Sequence, residues 1–247
     1  MTTDQLPPIK GFLETSLLDW PGHVCAVVFL PYCNLRCPYC HNHRLVLHPD
    51  TLETLSLESV LARVAARDEW IDGVCVTGGE PTIHRGLPAM LEAIHEAGLR
   101  VKLDTNGTQP EILKHLITKG LVDTVAMDVK APLDDALYER CAGVYVPASL
   151  ITSSIEVLLR SGIPAEFRCT AVPLLLKEGE IFRLAEDLRD LALQCAVSNL
   201  PKLTIQNFNP ADPMDPALKD AAPFDEKVLS GIQKDVDAIL DAGTGSI

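Results

Sequence analysis

Residues 33–40 of this chain read CNLRCPYC, and they follow the apolar run VCAVVFL at residues 24–30. The run is continuous and rich in β-branched side chains, which is typical of a strand buried on both faces of a parallel sheet. The loop after it carries three thiols, Cys33, Cys37 and Cys40, and no fourth. Because thiolates are soft, anionic donors that suit iron, this pattern indicates an iron–sulfur cluster with one iron left open to a small molecule.

Two other roles for these thiols stay open at this point. His41 could complete a Cys3His zinc site, although a four-Cys zinc site normally uses two Cys-x2-Cys pairs and the chain has no second pair. A disulfide framework is less favoured, because the remaining cysteines are scattered singly, as buried core thiols are. These five are Cys25, Cys75, Cys141, Cys169 and Cys195.

Strand-like runs recur along the chain and alternate with helical stripes of apolar residues. Repeated βα units predict a parallel sheet with right-handed crossovers and outer helices. Six units fall short of the eight of a closed barrel. We therefore expect an α/β fold, an open (β/α)6 partial TIM barrel. The six predicted strands are residues 24–30, 73–77, 99–105, 122–129, 165–172 and 203–208.

The domain organisation follows from length and from a change in composition. A chain of 247 residues with 47% hydrophobic content suits one sizeable core. We expect a core domain over residues 1–208. Residues 209–223 are rich in Pro, Asp and Ala and predict an irregular connector. An amphipathic helix follows, and we expect residues 209–247 to pack on the same domain.

Charge and hydropathy exclude several classes of protein. The chain has 21 basic and 34 acidic residues, for a net charge of −13, which argues against a nucleic-acid-binding surface. No run of about 18 apolar residues is present, so no membrane span is expected. Residues 1–10 lack the basic and apolar regions of a signal peptide. Eight cysteines without such a signal indicate a reducing compartment, and we expect the cytoplasm.

Unusual residues occur at or near the carboxyl end of each predicted strand. In parallel βα architectures this is where ligands bind. Arg168, inside an otherwise apolar strand, would be costly to bury without an anion. The pattern therefore predicts a ligand site. Its members are the cysteine loop, GGEP at 78–81, DTNG at 104–107, DVK at 128–130, Arg168 and QN at 206–207.

The spacing Cys-x3-Cys-x2-Cys, with aromatic Tyr39 before the last Cys, resembles the signature of the radical S-adenosylmethionine (SAM) enzymes. The stretches YCHN at 39–42 and LDWPG at 18–22 resemble more narrowly the activating enzymes of glycyl-radical enzymes. Among these, the chain is most similar to the anaerobic ribonucleoside-triphosphate reductase activating proteins. The resemblance covers residues 9–208 and departs at Pro31-Tyr32, where a Gly before the first Cys is frequent.

The resemblance implies a [4Fe-4S] cluster on Cys33, Cys37 and Cys40, with SAM bound to the fourth iron. It also implies a fold of the radical SAM type and assigns further residues to the cofactors. Two alternatives to these cofactor roles remain open. Gly78 and Gly79 could simply form a tight turn, and Asp128 and Lys130 could form a local ion pair. The implied roles are Gly78, Gly79 and Glu80 at the SAM amino group; Asp128 and Lys130 at SAM; Asp104 and Thr105, in the strand end that includes Asn106, at a monovalent cation; Gln206 at the ribose or adenine; and Tyr39 in the SAM pocket. From its burial cost, Arg168 is expected to contact the SAM carboxylate or a partner's backbone. His41, beside the cluster, is expected in the SAM pocket or directly behind it.

The implied activity is reductive cleavage of SAM to a 5′-deoxyadenosyl radical, which removes a hydrogen atom from a Gly of a partner enzyme. The implied partner is anaerobic ribonucleotide reductase, and the implied electron donor is a flavodoxin or ferredoxin. A pyruvate formate-lyase activating enzyme or another activase would use the same residues. A small-molecule radical SAM enzyme and a non-catalytic zinc protein are the remaining alternatives.

Overall fold

The structure is a computed structural model that describes residues 6–67, 70–197 and 200–242. Strands and helices alternate along the chain, as the sequence predicts. The strands are β1 Gly11–Ser16, β2 Cys25–Leu30, β3 Gly73–Gly78, β4 Arg100–Thr105, β5 Thr124–Asp128, β6 Ala165–Ala171 and β7 Leu203–Asn207. The helices are α1 His43–Leu47, α2 Leu57–Ala65, α3 Leu87–Glu96, α4 Pro110–Thr118, α5 Asp135–Ala142, α6 Ala148–Ser161, α7 Glu178–Gln194 and α8 Glu226–Asp241.

The strands form a seven-stranded sheet in sequence order, from β1 to β7. The pairs β2–β3, β3–β4 and β6–β7 are parallel, and β1 is antiparallel to β2. In the described part of the chain the strand order has two ends, so the sheet is open. The α/β prediction with six βα strands is confirmed, and β1 is an additional edge strand that the sequence pattern did not predict.

The chain divides into two compact units, each with its own apolar core. The first unit contains residues 1–34, 42–105 and 112–126, and the second contains 35–41, 106–111 and 127–247. Fully buried side chains include Val27, Val76, Leu91 and Leu103 in the first unit and Tyr138, Ile155, Phe167 and Leu184 in the second. The boundary predicted at residue 208 stays a prediction. Residues 1–5 and 243–247 of the predicted domains lie outside the described residues.

Ser56 caps α2, and its hydroxyl accepts the Ser59 N–H at 3.1 Å. Helix α8 is amphipathic, and the Gln233 side chain on it bonds the backbone of β7 at Leu203 and Ile205. The prediction did not include α1 and α5. None of the helices in the described ranges is long and apolar enough to cross a membrane.

Candidate active site

The cysteine loop begins at Tyr32, which has a φ of 62°. The Tyr32 N–H donates to the Leu45 carbonyl at 2.9 Å, and the Tyr32 carbonyl accepts the Glu80 N–H at 2.8 Å. The Gly79 N–H donates to the Leu30 carbonyl at 2.8 Å. Two of these bonds involve the residues that follow β3, and the third involves Leu45 of α1. Because all three join backbone atoms, they fix the chain immediately before Cys33 independently of side-chain rotamers.

Gly78 and Gly79 have a structural reason to be glycine. Gly78 has a φ of +121°, and a Cβ there would overlap the backbone of Leu30. A Cβ on Gly79 would overlap the carbonyl of Tyr32. Side chains are therefore excluded by close backbone packing within this unit. The Asn42 amide, which the motif search did not single out as a site residue, donates to the Gly78 carbonyl at 2.9 Å.

Glu80 is almost fully buried, with 1% of its surface exposed. Its Oε1 accepts the Thr82 N–H at 3.1 Å, the Thr82 hydroxyl at 2.6 Å and the Thr105 hydroxyl at 2.7 Å. Burial of a carboxylate is costly unless hydrogen bonds compensate it. The structure therefore brings Glu80 and Thr105 together and holds the carboxylate in one orientation.

Asp104 forms a buried ion pair with Lys102, whose ammonium lies 2.7 Å from Asp104 Oδ1. Lys102 is 2% exposed and Asp104 is 9% exposed. Sequence reasoning missed Lys102, although it is a charged residue within the same kind of apolar strand that drew attention to Arg168. The Asp104 carboxylate already has a cation from the chain. A monovalent cation, which the resemblance implies at Asp104 and Thr105, would compete with this ammonium for Asp104 Oδ1.

In the second unit, the cysteine loop is anchored by α5. The Arg36 N–H donates to the Ala142 carbonyl at 2.9 Å. Gly143 ends α5 with a φ of +71°, and a Cβ there would overlap the Arg36 carbonyl. The connector also reaches the loop, since the Asp215 N–H donates to the Pro38 carbonyl at 2.8 Å. These contacts depend on chain geometry, and no sequence motif predicted them.

Tyr39 is buried, with 5% of its surface exposed, and its hydroxyl has no hydrogen-bond partner within the described residues. Burial raises the pKa of this phenol well above its usual value, and the neighbouring Cys37 adds to the shift. A buried hydroxyl without a partner is unusual in a native core and is accounted for where a ligand supplies the missing bond. His41, which was also predicted to line the pocket, is exposed.

Asp128 joins two cations. Its Oδ1 lies 2.8 Å from Arg168 Nε, and its Oδ2 lies 2.9 Å from Lys130 Nζ. Burial raises the pKa of the Asp128 carboxyl, but the charges of Lys130 and Arg168 outweigh burial and hold this pKa well below its usual range. The ion pair that the sequence left open is therefore present, and Asp128 is the anion that Arg168 needs. The Asp128 carboxylate thus holds two cationic side chains close together in this unit.

Two predicted residues remain in this unit. In the parallel register Arg168 lies opposite Thr204 and Thr170 lies opposite Gln206, so the Arg168 and Gln206 side chains share one sheet face. Gln206 is exposed there. Asn106 has a local role, because its Oδ1 accepts the Thr108 N–H at 3.0 Å and the Thr108 hydroxyl at 2.7 Å. That geometry stabilises the turn after β4.

The donor set fits an iron–sulfur cluster and SAM. All eight cysteines lie in the described ranges and are thiols rather than disulfides. In those ranges no three His, Cys, Asp or Glu side chains are grouped so as to hold a single metal ion. A [4Fe-4S] cluster does not require side chains grouped around one ion, because each cysteine thiolate binds a separate iron of the cluster. The Tyr39 hydroxyl has no partner within the described residues, and the Lys130 and Arg168 cations are held by Asp128. A ligand with hydrogen-bonding atoms and an anionic group, such as SAM, fits these features.

Comparison with known proteins places this site in a family. The Radical SAM superfamily model matches residues 27–190. The chain belongs to the radical SAM superfamily. Members of this superfamily use a [4Fe-4S] cluster and SAM, and these are the cofactors of this enzyme.

Two relatives match over most of their length. A Methanocaldococcus jannaschii protein named as a glycyl-radical enzyme activating enzyme is 31% identical over 217 residues, covering 85% of this chain and 84% of that protein. The pyruvate formate-lyase-activating enzyme of Clostridium pasteurianum is 28% identical, covering 94% of this chain and 98% of that enzyme. The radical SAM chain thus groups with activating enzymes of glycyl-radical enzymes.

Solved structures share the fold. The crystal structure of Streptococcus suis SuiB bound to the precursor peptide SuiA superposes with a TM-score of 0.64 at 16% identity over 87% of this chain. This chain spans 46% of the length of SuiB. At that identity the likeness concerns the fold alone, and it agrees with the open α/β sheet of this radical SAM enzyme.

Proposed function

We propose that this radical SAM enzyme installs a glycyl radical on a partner enzyme. When bound, the cluster and SAM supply one-electron cleavage of SAM to methionine and a 5′-deoxyadenosyl radical, which takes a hydrogen atom from a glycine and leaves as 5′-deoxyadenosine. The observation that carries the proposal is the three-thiol loop, whose backbone is anchored at Tyr32 in one unit and at Arg36 in the other. The near-full-length activating-enzyme relatives support the glycyl-radical step.

The residues of the chain take the following proposed roles. Cys33, Cys37 and Cys40 ligate three irons. The anionic, hydrogen-bonded Glu80 receives the SAM ammonium at the end of β3, where Gly78 and Gly79 keep the backbone free of side chains. Lys130 and Arg168, fixed by Asp128, attract the SAM carboxylate or a ribose oxygen. Tyr39, His41 and Gln206 face the nucleoside part.

We propose anaerobic ribonucleoside-triphosphate reductase as the partner. The overall resemblance of residues 9–208 to the activating proteins of that reductase supports this choice. The second candidate is pyruvate formate-lyase, because the Clostridium pasteurianum activating enzyme matches over 98% of its length. We further propose a flavodoxin or ferredoxin as electron donor and the cytoplasm as the location, with residues 209–247 packed on one domain formed by 1–208.

The first experiment measures SAM cleavage. Reconstituted protein is incubated anaerobically with SAM and dithionite, and 5′-deoxyadenosine and methionine are quantified. We expect both products in equal amounts from the wild type and none from Cys37→Ala, which lacks one ligand. Cys195→Ala is the matched control, because Cys195 is a buried thiol outside the loop and its loss should leave cleavage intact. Zinc in place of iron, without cleavage, would contradict the proposal.

The second experiment identifies the partner. Each candidate protein is added to the reduced enzyme with SAM, and the glycyl radical is followed by EPR. A signal with anaerobic ribonucleotide reductase alone supports the proposed partner. A signal with pyruvate formate-lyase alone replaces it with the second candidate. SAM cleavage with no signal from either protein would contradict both partners and favour another activase or a small-molecule substrate.

A further inference from the structure

Lys102 and Asp104 lie two residues apart in β4, so their side chains share one face of the strand. The Lys102 ammonium lies 2.7 Å from Asp104 Oδ1, and both residues are buried. In the parallel register Lys102 lies opposite Cys75 of β3. Trp20, Cys25, Val27 and Cys75 form a buried apolar cluster in this unit. The ion pair therefore lies in an environment where water cannot compensate either charge.

A buried carboxylate needs a positive charge close to it. A mobile ion provides that charge only in proportion to its concentration, since its contribution to stability follows from mass action. A lysine on the same strand provides it at any salt concentration. The separation of 2.7 Å is that of a direct charge-assisted hydrogen bond, so the ammonium occupies one coordination direction of Asp104 that an added ion would use.

Thr105 contributes a second observation. Its hydroxyl donates to Glu80 Oε1 at 2.7 Å, so its proton is directed at another carboxylate of the same unit. The backbone of β4 thus connects the Lys102–Asp104 pair to the Glu80 network through adjacent residues.

We propose that Lys102 is a built-in cation for Asp104, and that this radical SAM enzyme works without the monovalent cation that its sequence resemblance implies. Lys102 is a positioning residue: it neutralises Asp104 and keeps the end of β4 in the geometry that holds Thr105 and Glu80. The catalytic part of this inference rests on the proposed SAM cleavage, whereas the ion-binding part concerns the folded chain alone.

The ion-binding part is tested by thermal unfolding of the full-length holoenzyme. The melting temperature is measured in chlorides of K⁺, Na⁺ and tetramethylammonium at an equal ionic strength of about 0.1 M, so that general screening is the same. The wild type is expected to melt within about 1 °C in all three salts. Lys102→Met removes the ammonium from Asp104 Oδ1, and we expect K⁺ or Na⁺ to raise the melting temperature of this variant by about 4 °C or more over tetramethylammonium.

Two controls keep the result specific. The double variant Lys102→Met/Asp104→Asn lacks both charges and should lose the response to K⁺ and Na⁺. Lys219→Met changes an exposed lysine and should match the wild type. If Lys102→Met does not fold, the melting temperatures of the wild type in the three salts decide the ion-binding part. A wild type stabilised by K⁺ or Na⁺ relative to tetramethylammonium would overturn the proposal, as would a folded Lys102→Met that is indifferent to all three salts.

SAM cleavage in the same three salts tests the catalytic part. We expect equal rates from the wild type, and from Lys102→Met a rate at least about threefold higher in K⁺ or Na⁺ than in tetramethylammonium. Wild-type cleavage that requires K⁺ or Na⁺ overturns the inference. Absence of cleavage in every salt contradicts the proposed function instead, and the melting temperatures still decide the role of Lys102.

Discussion

The carbonyl oxygen of Tyr32 lies in the space that a Cβ on Gly79 would need. The same carbonyl accepts the Glu80 N–H at 2.8 Å, so the end of β3 and the start of the cysteine loop pack backbone to backbone. Cys33 is the next residue after Tyr32. The position of the first thiol therefore depends on the absence of a side chain at Gly79.

Gly79→Ala is expected to lower stability and iron content together. The added methyl group must displace backbone rather than a flexible side chain, which costs about 1–3 kcal/mol or more. Iron and sulfide content and the free energy of unfolding in urea measure the two effects. Gly231→Ala in α8 is the matched control, because a Cβ there has no atom within 4 Å. Equal iron content and stability in the two variants would contradict the packing argument.

Thr105→Val is expected to destabilise the fold by about 2 kcal/mol, because it removes a hydroxyl donor from a buried carboxylate while keeping nearly the same shape. Thr105→Ser keeps the donor to Glu80 and should recover most of that loss. Urea unfolding of the three proteins measures the difference. A Ser variant as unstable as the Val variant would contradict the proposed contribution of the Thr105 hydroxyl to stability.

Asp128→Asn should reveal the depressed pKa of the Asp128 carboxyl. A carboxyl whose folded pKa lies below its unfolded pKa stabilises the fold above the unfolded value, and that contribution is lost as the pH falls through the folded value. We expect a gap of roughly 3 kcal/mol between wild type and variant near neutral pH. The gap should be constant above about pH 5 and shrink below about pH 4.

Urea unfolding from about pH 7 to about pH 3 follows this gap. Asp235→Asn, at an exposed position in α8, should show no such gap at any pH. A difference between wild type and Asp128→Asn that grows as the pH falls would contradict the assigned sign.

Arg168→Met is expected to weaken SAM binding on the order of tenfold, because it removes one of the two cations proposed to attract the SAM carboxylate or a ribose oxygen. Anaerobic equilibrium dialysis of iron-loaded protein gives the Kd for SAM. Arg140→Met removes an Arg of the same unit that is paired with Glu180 at 2.8 Å on the surface, so SAM affinity should not change. Similar losses in the two variants would indicate a general structural effect.

Strand β2 was predictable because it reads CAVVFL, the unbroken apolar run of a parallel strand buried on both faces. Strands β4 and β6 read RVKLDT and AEFRCTA, and they were predictable from their alternation with helical stripes. Strand β1 reads GFLETS, a mixed pattern of an antiparallel edge strand, and its pairing with β2 depends on the fold. Helix α5 reads DALYERCA and has too few apolar positions to form a clear stripe. The two glycines that pack against the cysteine loop differ in the same way. Gly79 lies in a recognisable motif and was predictable, whereas Gly143 lies in no motif and was not.

Charged residues within strands were partly predictable. The cost of burying a cation drew attention to Arg168, and the same rule applies to Lys102 in β4. The carboxylate that pairs with each of these cations was not predictable from sequence spacing. Lys102 pairs two positions along its own strand, whereas Arg168 reaches Asp128 of another strand. Sequence analysis can thus identify a buried charge more readily than the group that compensates it.

When iron-free protein is alkylated with N-ethylmaleimide, the partly exposed thiols should react faster than the buried ones. Burial raises the pKa of Cys25 and of Cys141 to about 11, so near pH 8 only about one molecule in a thousand carries either as the reactive thiolate. Cys33 and Cys40 are partly exposed. We expect mass spectrometry to find these two labelled first, and Cys25 and Cys141 labelled only after unfolding in urea.

Loading the protein with iron should then protect Cys33 and Cys40 while leaving the core thiols unchanged, because a thiolate bound to iron is not available to the reagent. Iron-loaded protein and zinc-treated protein are labelled side by side, with urea-unfolded protein as the control in which all eight thiols react. Protection by iron together with cluster absorbance supports ligation of a cluster by the loop. Labelling of Cys25 or Cys141 as fast as Cys40 in folded protein would contradict the burial assigned to the core thiols, and loop thiols that react equally with and without iron would contradict their role as ligands.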